Sequence, residues 1–183
     1  YSISCKLRLR AWLVFFPPAI VMAKRNKIRI KVGREIDLMR TACQTASVIL
    51  QEVAAFIAPG KTTRQVDEFA AELMKLRGVR SAFHGYRGFP AYTCISLNEE
   101  VVHGLPTQRP IQSGDIVSVD CGSVYKGYYG DHAYTFEIGD VKPEVKKLLE
   151  VTKECLYLGI AQATVANRIE DIAWAIQQHA EKH

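Results

Sequence analysis

Residues 118–136 read SVDCGSVYKGYYGDHAYTF. Short strand-like runs flank Lys126-Gly127, a dipeptide that suits a two-residue hairpin loop. With that loop, Asp120 pairs opposite Ala133 and Asp131 opposite Gly122. Both aspartates then leave one face as diagonal neighbours, about 7–8 Å apart between backbones. A one-residue shift would send them to opposite faces, so everything rests on register. Two ionised carboxylates at that separation repel, which raises one pKa unless a cation neutralises them. Hard carboxylate oxygens suit manganese, magnesium or ferrous iron. Each aspartate equally suits a turn at a sheet edge, and spacing alone leaves both readings open.

Outward from this hairpin the period changes. Tyr92–Leu97, Ile116–Cys121 and Tyr129–Ile138 read as strands with turn residues between them. Upstream, Ile36, Met39, Cys43, Ala46, Leu50, Val53 and Ile57 recur at helical spacing until Pro59-Gly60. Thr62 and Gln65 form a capping-box pattern that opens a second helix through Val66, Phe69, Ala70 and Leu73, closed by Gly78. Helical sequence resumes at Pro143, and a last helix is expected from Asn167, with Glu170 three residues on.

The two helix pairs match without gaps at an offset of 103 residues: Ala46 falls on Leu149, Val53 on Leu156, Val66 on Ile169 and Leu73 on Ile176. A helix–helix–strands unit repeated at that spacing would place its second strands beyond residue 190. On this reading the chain is a fragment.

Of 24 Lys and Arg, nine fall in residues 1–34, where no acid occurs; the remainder sets 15 basic against 19 acidic side chains. A mildly acidic domain thus follows a basic arm, which reads as a solvated tail or as a contact for RNA or a membrane surface. KLRLR followed by AWLVFFPPAIVMA imitates a signal peptide, but the chain opens on Tyr1 and Pro17-Pro18 breaks the apolar run. The run is too short to span a bilayer as a helix, so no membrane is expected. Met22-Ala23-Lys24 reads as a translation start, with residues 1–21 translated from upstream. Five cysteines, widely spaced and without a CxxC pair, argue for a reducing compartment and against a disulfide framework or structural zinc.

GYRGFPAYTCISLNEEVVHGLP (85–106), followed by GDIVSVDCG and YYGDHAYTF, closely resembles the type I methionine aminopeptidases. The N-E-x-V-x-H-G-x-P pattern from Asn98 to Pro106 sets them apart within a wider metallopeptidase family. The resemblance runs from about Met22 to His183. It implies an α+β pita-bread fold, two pseudo-symmetric halves facing across a metal site, here with the first α-α-β half and the helices of the second. Residues 1–34 are then a basic extension, and 35–183 a partial metallopeptidase domain lacking its C-terminal strands.

By position, Asp120 and Asp131 resemble aspartate ligands of a dinuclear centre holding two divalent ions (cobalt, manganese, iron or zinc). His103 resembles the non-ligand catalytic histidine that contacts substrate. Tyr86, Phe89 and Cys94 fall where such enzymes line the pocket for the methionine side chain. The implied activity is removal of the initiator methionine from nascent chains whose second residue is small, by a cytoplasmic monomer, with the basic arm a candidate ribosome contact. The remaining ligands, one histidine and two glutamates, have no match in 137–183, so the chain by itself is expected to be inactive.

Each residue has a plainer reading: His103 as a turn histidine, Tyr86 and Phe89 as core aromatics. His132 would point away from Asp131 if strand residues alternate, and is read as non-ligating. Arg87 departs from the histidine frequent at its position. His84, His179 and His183 have no motif support. Two other functions stay open: an inactive pita-bread module that binds protein or RNA, and a dipeptidase or proline-specific aminopeptidase of the same fold.

Overall fold

Gly33, at φ 49°, turns the chain into helix α1 (Arg34–Phe56), whose first turn carries Glu35 and Asp37 where acids oppose the helix dipole favourably. The computed structural model describes residues 28–183. The suggested upstream translation at 1–21, and most of the basic arm, lie outside the described residues. Residues 28–31 carry no regular structure and fall in a separate unit; Val32–His183 form a unit of their own.

Helix α2 (Thr63–Leu76) opens as expected. The Gln65 amide N–H donates to Thr62 Oγ1 at 3.2 Å, and the Thr62 N–H donates to Gln65 Oε1 at 2.9 Å. Strands β1 (Arg80–Ser81), β2 (Cys94–Leu97), β3 (Ile116–Tyr125) and β4 (Tyr128–Glu137) make one antiparallel sheet. Long β3 is central, with β4 on one edge and β2 and β1 following one another along the other. The two-residue strand β1 lies below what periodicity can detect.

One face of the sheet packs against α1 and α2. Val117, Val119 and Cys121 of β3 join Ile49, Leu50, Val53, Val66 and Met74 in the core. Small residues let α1 press against the sheet backbone: a Cβ on Gly130 would lie 2.3 Å from the Ala42 carbonyl carbon. Ser123 donates to the Ala42 carbonyl oxygen at 2.9 Å. The buried stripe of α1 is Ala42, Ala46, Ile49, Leu50 and Val53, so Cys43 is exposed rather than a core thiol. Cys94, Cys121 and Cys155 are free and buried. Among the described residues no helix is long and apolar enough to cross a membrane.

Helices α3 (Pro143–Gln162) and α4 (Ile169–Lys182) form a second pair. Thr63 and Leu76 shifted by 103 fall on Ala166 and His179, three residues ahead of the ends of α4. The helix pair recurs, then, but not quite at the gapless offset. Helix α4 also starts later than the Asn167–Glu170 pattern suggests, because the Arg168 N–H donates to Asp171 Oδ2 at 2.7 Å. Asn167 is drawn backward instead, donating to the Gln162 carbonyl at 3.0 Å.

Candidate functional site

The register that decides the carboxylate pair is the expected one: Asp120 opposes Ala133 and Asp131 opposes Gly122. Because Ser123 and Cys121 point into the core, Asp120 and Gly122 face away from α1, and Asp131 and Ala133 share that outer face. Burial first, then the neighbouring Asp131 carboxyl through hydrogen bonding and charge, push Asp120 up to about 7. A carboxyl held in this way exchanges its proton readily for a cation, because either ion relieves the same repulsion.

A cavity of about 540 Å³ lies over this face, between the sheet and α3. Asp120, Cys94 and Ser96 line its floor, His103 its rim, and Leu149 and Leu156 of α3 its opposite wall. Cys94 pairs with Asp120 on the neighbouring strand. Burial, followed by the charges of Asp120, Asp131 and Asp67, pushes its thiol up to about 11. At neutral pH it is an uncharged, polarisable wall group.

His103 is held by its neighbours. The Gly104 N–H donates to Ser96 Oγ at 3.1 Å, and the Ile95 N–H donates to the Gly104 carbonyl at 2.9 Å. The strap lies so close to β2 that a Cβ on Gly104 would meet the Ile95 carbonyl oxygen at 2.3 Å. His103 itself adopts φ 59°, in the left-handed region, which turns the imidazole's strap over the cavity. Asn98 anchors the start of the segment: its side chain donates to Asp115 at 2.8 Å and accepts from the Ile116 N–H at 3.0 Å.

Four other residues weighed from the sequence fall elsewhere. Tyr86 is 63% exposed, and it sits with Phe89 in the loop between β1 and β2, outside the cavity lining. Arg87 lies 5.5 Å from the Tyr86 ring centroid. His132 opposes Cys121, on the α1 side of the sheet, which turns it from the aspartate pair.

Two contributors carry no local signal in the sequence. Phe83 lies against Gly122, the residue opposite Asp131, where a Cβ would stand 2.7 Å from its ring. Asp67, buried on α2, accepts from the Tyr92 and Thr93 N–H groups at 3.0 and 2.7 Å and from the Thr93 hydroxyl at 2.7 Å. It thereby sets the start of β2 just before Cys94. Among the described residues, the one group of three or more convergent His, Cys, Asp or Glu donors is Glu154, His179 and His183. Asp120 and Asp131 are not joined by a third such donor within 4.8 Å among the described residues.

Residues 37–183 match metallopeptidase family M24. The chain is 40% identical over 151 residues to methionine aminopeptidase 1 of Bacillus subtilis, covering 82% of this chain and 61% of that one. It is 43% identical over 155 residues to the methionine aminopeptidase of Clostridium acetobutylicum, covering 84% and 62%. The crystal structure of a methionine aminopeptidase from Thermotoga maritima superposes with a TM-score of 0.82 at 43% identity, covering 85% of this chain and 63% of that one. A prolidase from Pyrococcus furiosus, at 21% identity and a TM-score of 0.74, shares the fold alone. The chain therefore spans a little over three-fifths of the length of the methionine aminopeptidases it matches. The α+β pita-bread fold expected from the resemblance is the fold these structures share.

Proposed function

The chain belongs to metallopeptidase family M24, and from that premise we propose that the whole protein is a methionine aminopeptidase acting on nascent chains. The observation that carries this reading is the meeting of Asp120, Cys94 and His103 around one cavity, with Asp131 on the same sheet face beside Asp120. The relatives at 40–43% identity support the choice of methionine over proline-directed chemistry.

Membership in a metallopeptidase family implies a divalent cation. Asp120 and Asp131 fit it, being hard oxygen donors that stand side by side on one sheet face. When bound, such ions lower the pKa of water to supply a nucleophile at neutral pH. The residues of this chain do the rest. Asp120 and Asp131 hold the cationic centre against β3 and β4. His103, at the rim, offers an imidazole that moves a proton beside the scissile peptide. Cys94 gives an apolar, polarisable surface suited to an unbranched thioether. Two ions are proposed, of cobalt, manganese, iron or zinc.

This face is one wall of the site. Residues 35–183 are read as a partial domain, and Tyr86 and Phe89, outside the cavity lining here, are proposed to line the methionine slot only in the longer protein. The substrate is a peptide with N-terminal methionine followed by a small residue, met in the cytoplasm by a monomer. The nine basic residues of 1–34 give the arm the charge to touch ribosomal RNA.

Hydrolysis of Met-Ala-Ser with added manganese or cobalt tests the reading. The 183-residue chain alone should give no turnover above a metal-only blank, and a form spanning the length of its relatives should release methionine. Asp131→Asn in that longer form should abolish release. Full activity in the variant would show that the carboxylate pair is not the metal wall.

A further inference from the structure

His179 and His183 stand four residues apart at the end of α4, so they project from one helix face. Their rings lie 4.7 Å apart between centroids. Glu154 of α3 reaches the same spot across the hairpin, its Oε2 2.6 Å from His179 Nε2. The nitrogen and oxygen donors of all three lie within 4.8 Å of one another. A histidine beside a glutamate is by itself an ordinary ion pair. The second imidazole changes its chemistry, because two nitrogen donors and one carboxylate make the ligand set that borderline divalent cations prefer and that hard magnesium or calcium does not.

We propose that Glu154, His179 and His183 form a zinc-class cation site that fastens α3 to α4, independent of the reading given to Asp120 and Asp131. His179 is the anchor, with a side chain only 20% exposed, while Glu154 at 58% leaves an approach from solvent. Lys147 donates to the His183 carbonyl oxygen at 3.2 Å, which keeps the last turn of α4 over α3. The cavity-facing residues of α3 are Leu149, Glu150, Thr152, Lys153 and Leu156, and Glu154 is not among them. The site closes a loop between positions 25 residues apart. It does so where the hairpin buries little else: Ile169 and Trp174 are 82% and 61% exposed. A cation there would hold the two helices in register where apolar burial contributes little.

Calorimetric titration of Zn2+ into the chain carrying Asp120→Asn and Asp131→Asn isolates the site. One ion per chain is expected. His179→Ala or His183→Ala should each weaken it by at least the roughly 10–100-fold that loss of an outer partner costs a metal site. The imidazole NMR signals of His179 and His183 should shift on zinc addition while those of His84 and His132 stay in place. His183 is exposed, so its replacement leaves the fold intact and the comparison valid. Zinc affinity unchanged in both histidine variants, or no one-to-one uptake by the doubly substituted chain, overturns the proposal.

Discussion

Asp120 and Asp131 stand diagonally across the β3–β4 hairpin on one sheet face, where the Asp131 carboxyl helps to raise the pKa of Asp120. The Lys126-Gly127 loop creates this relationship. Lys126 at φ 47° and Gly127 at φ 83° both lie in the left-handed region that a tight two-residue turn demands. One residue more in the loop would turn Asp131 toward α1.

That pairing makes the metal-free chain sensitive to pH. Asp120 is raised from 3.8 to about 7, so the folded state binds its proton more tightly than the unfolded chain does. The resulting stability is fully present below about pH 4 and is lost as pH rises through 7. Urea midpoints of the metal-free chain should therefore fall between pH 4 and 7 and level off above. Asp120→Asn should flatten that slope, and manganese at pH 7.5 should restore part of the loss. An unaltered slope in the variant would assign the titration to another group.

Gly104→Ala should destabilise the chain by more than about 1–3 kcal/mol, the usual cost of overpacking. Its new methyl would meet backbone at the Ile95 carbonyl, which cannot rotate away. At Gly122 the obstacles are the Phe83 ring edge at 2.7 Å, which can rotate, and the Ala82 Cβ at 2.8 Å, both farther than the 2.3 Å at Gly104, so Gly122→Ala should cost less. Denaturation curves for the two variants rank them directly, and the reverse order would contradict the packing described for the strap.

Asp67→Ala should cost about 3 kcal/mol or more. It strands two backbone N–H groups and the Thr93 hydroxyl, at about 1–3 kcal/mol per buried unsatisfied group. Asp67→Asn keeps one acceptor oxygen and should recover part of the loss. Equal stability of the alanine and asparagine variants would mean that water replaces the carboxylate.

Thiol chemistry should separate two cysteines. Cys43 is exposed, whereas Cys94 is buried and its thiol is pushed up to about 11. Iodoacetamide at pH 8 should label Cys43 well before Cys94, because the thiolate is the reacting form. Peptide mapping by mass spectrometry reads the order. Faster labelling at Cys94 would mean that the carboxylates beside it do not suppress its ionisation.

Local chemistry was legible in the residues themselves. The hairpin register, the Thr62–Gln65 capping box and the start of α3 at Pro143 each depend on groups a few positions apart. Turn geometry and helical period act over that range. The same local logic put Cys43 on the buried stripe of α1, where the sheet's line of approach selects its neighbour Ala42 instead and keeps Ala46. It also placed the start of α4 near Asn167, one residue ahead of the Arg168 cap, because Asn167 bonds backward to Gln162.

By itself, then, the sequence determined that two aspartates would share one face of a hairpin, and its 85–106 motif identified the company they keep. Tertiary structure alone decided that Asp67 sets β2 from 25 residues away, that Gly104 lies against Ile95, and that Glu154 meets His179 across two helices. The physical reason is reach. Period and turn type are written in neighbouring residues, whereas contacts between distant segments exist only once packing has chosen which faces meet.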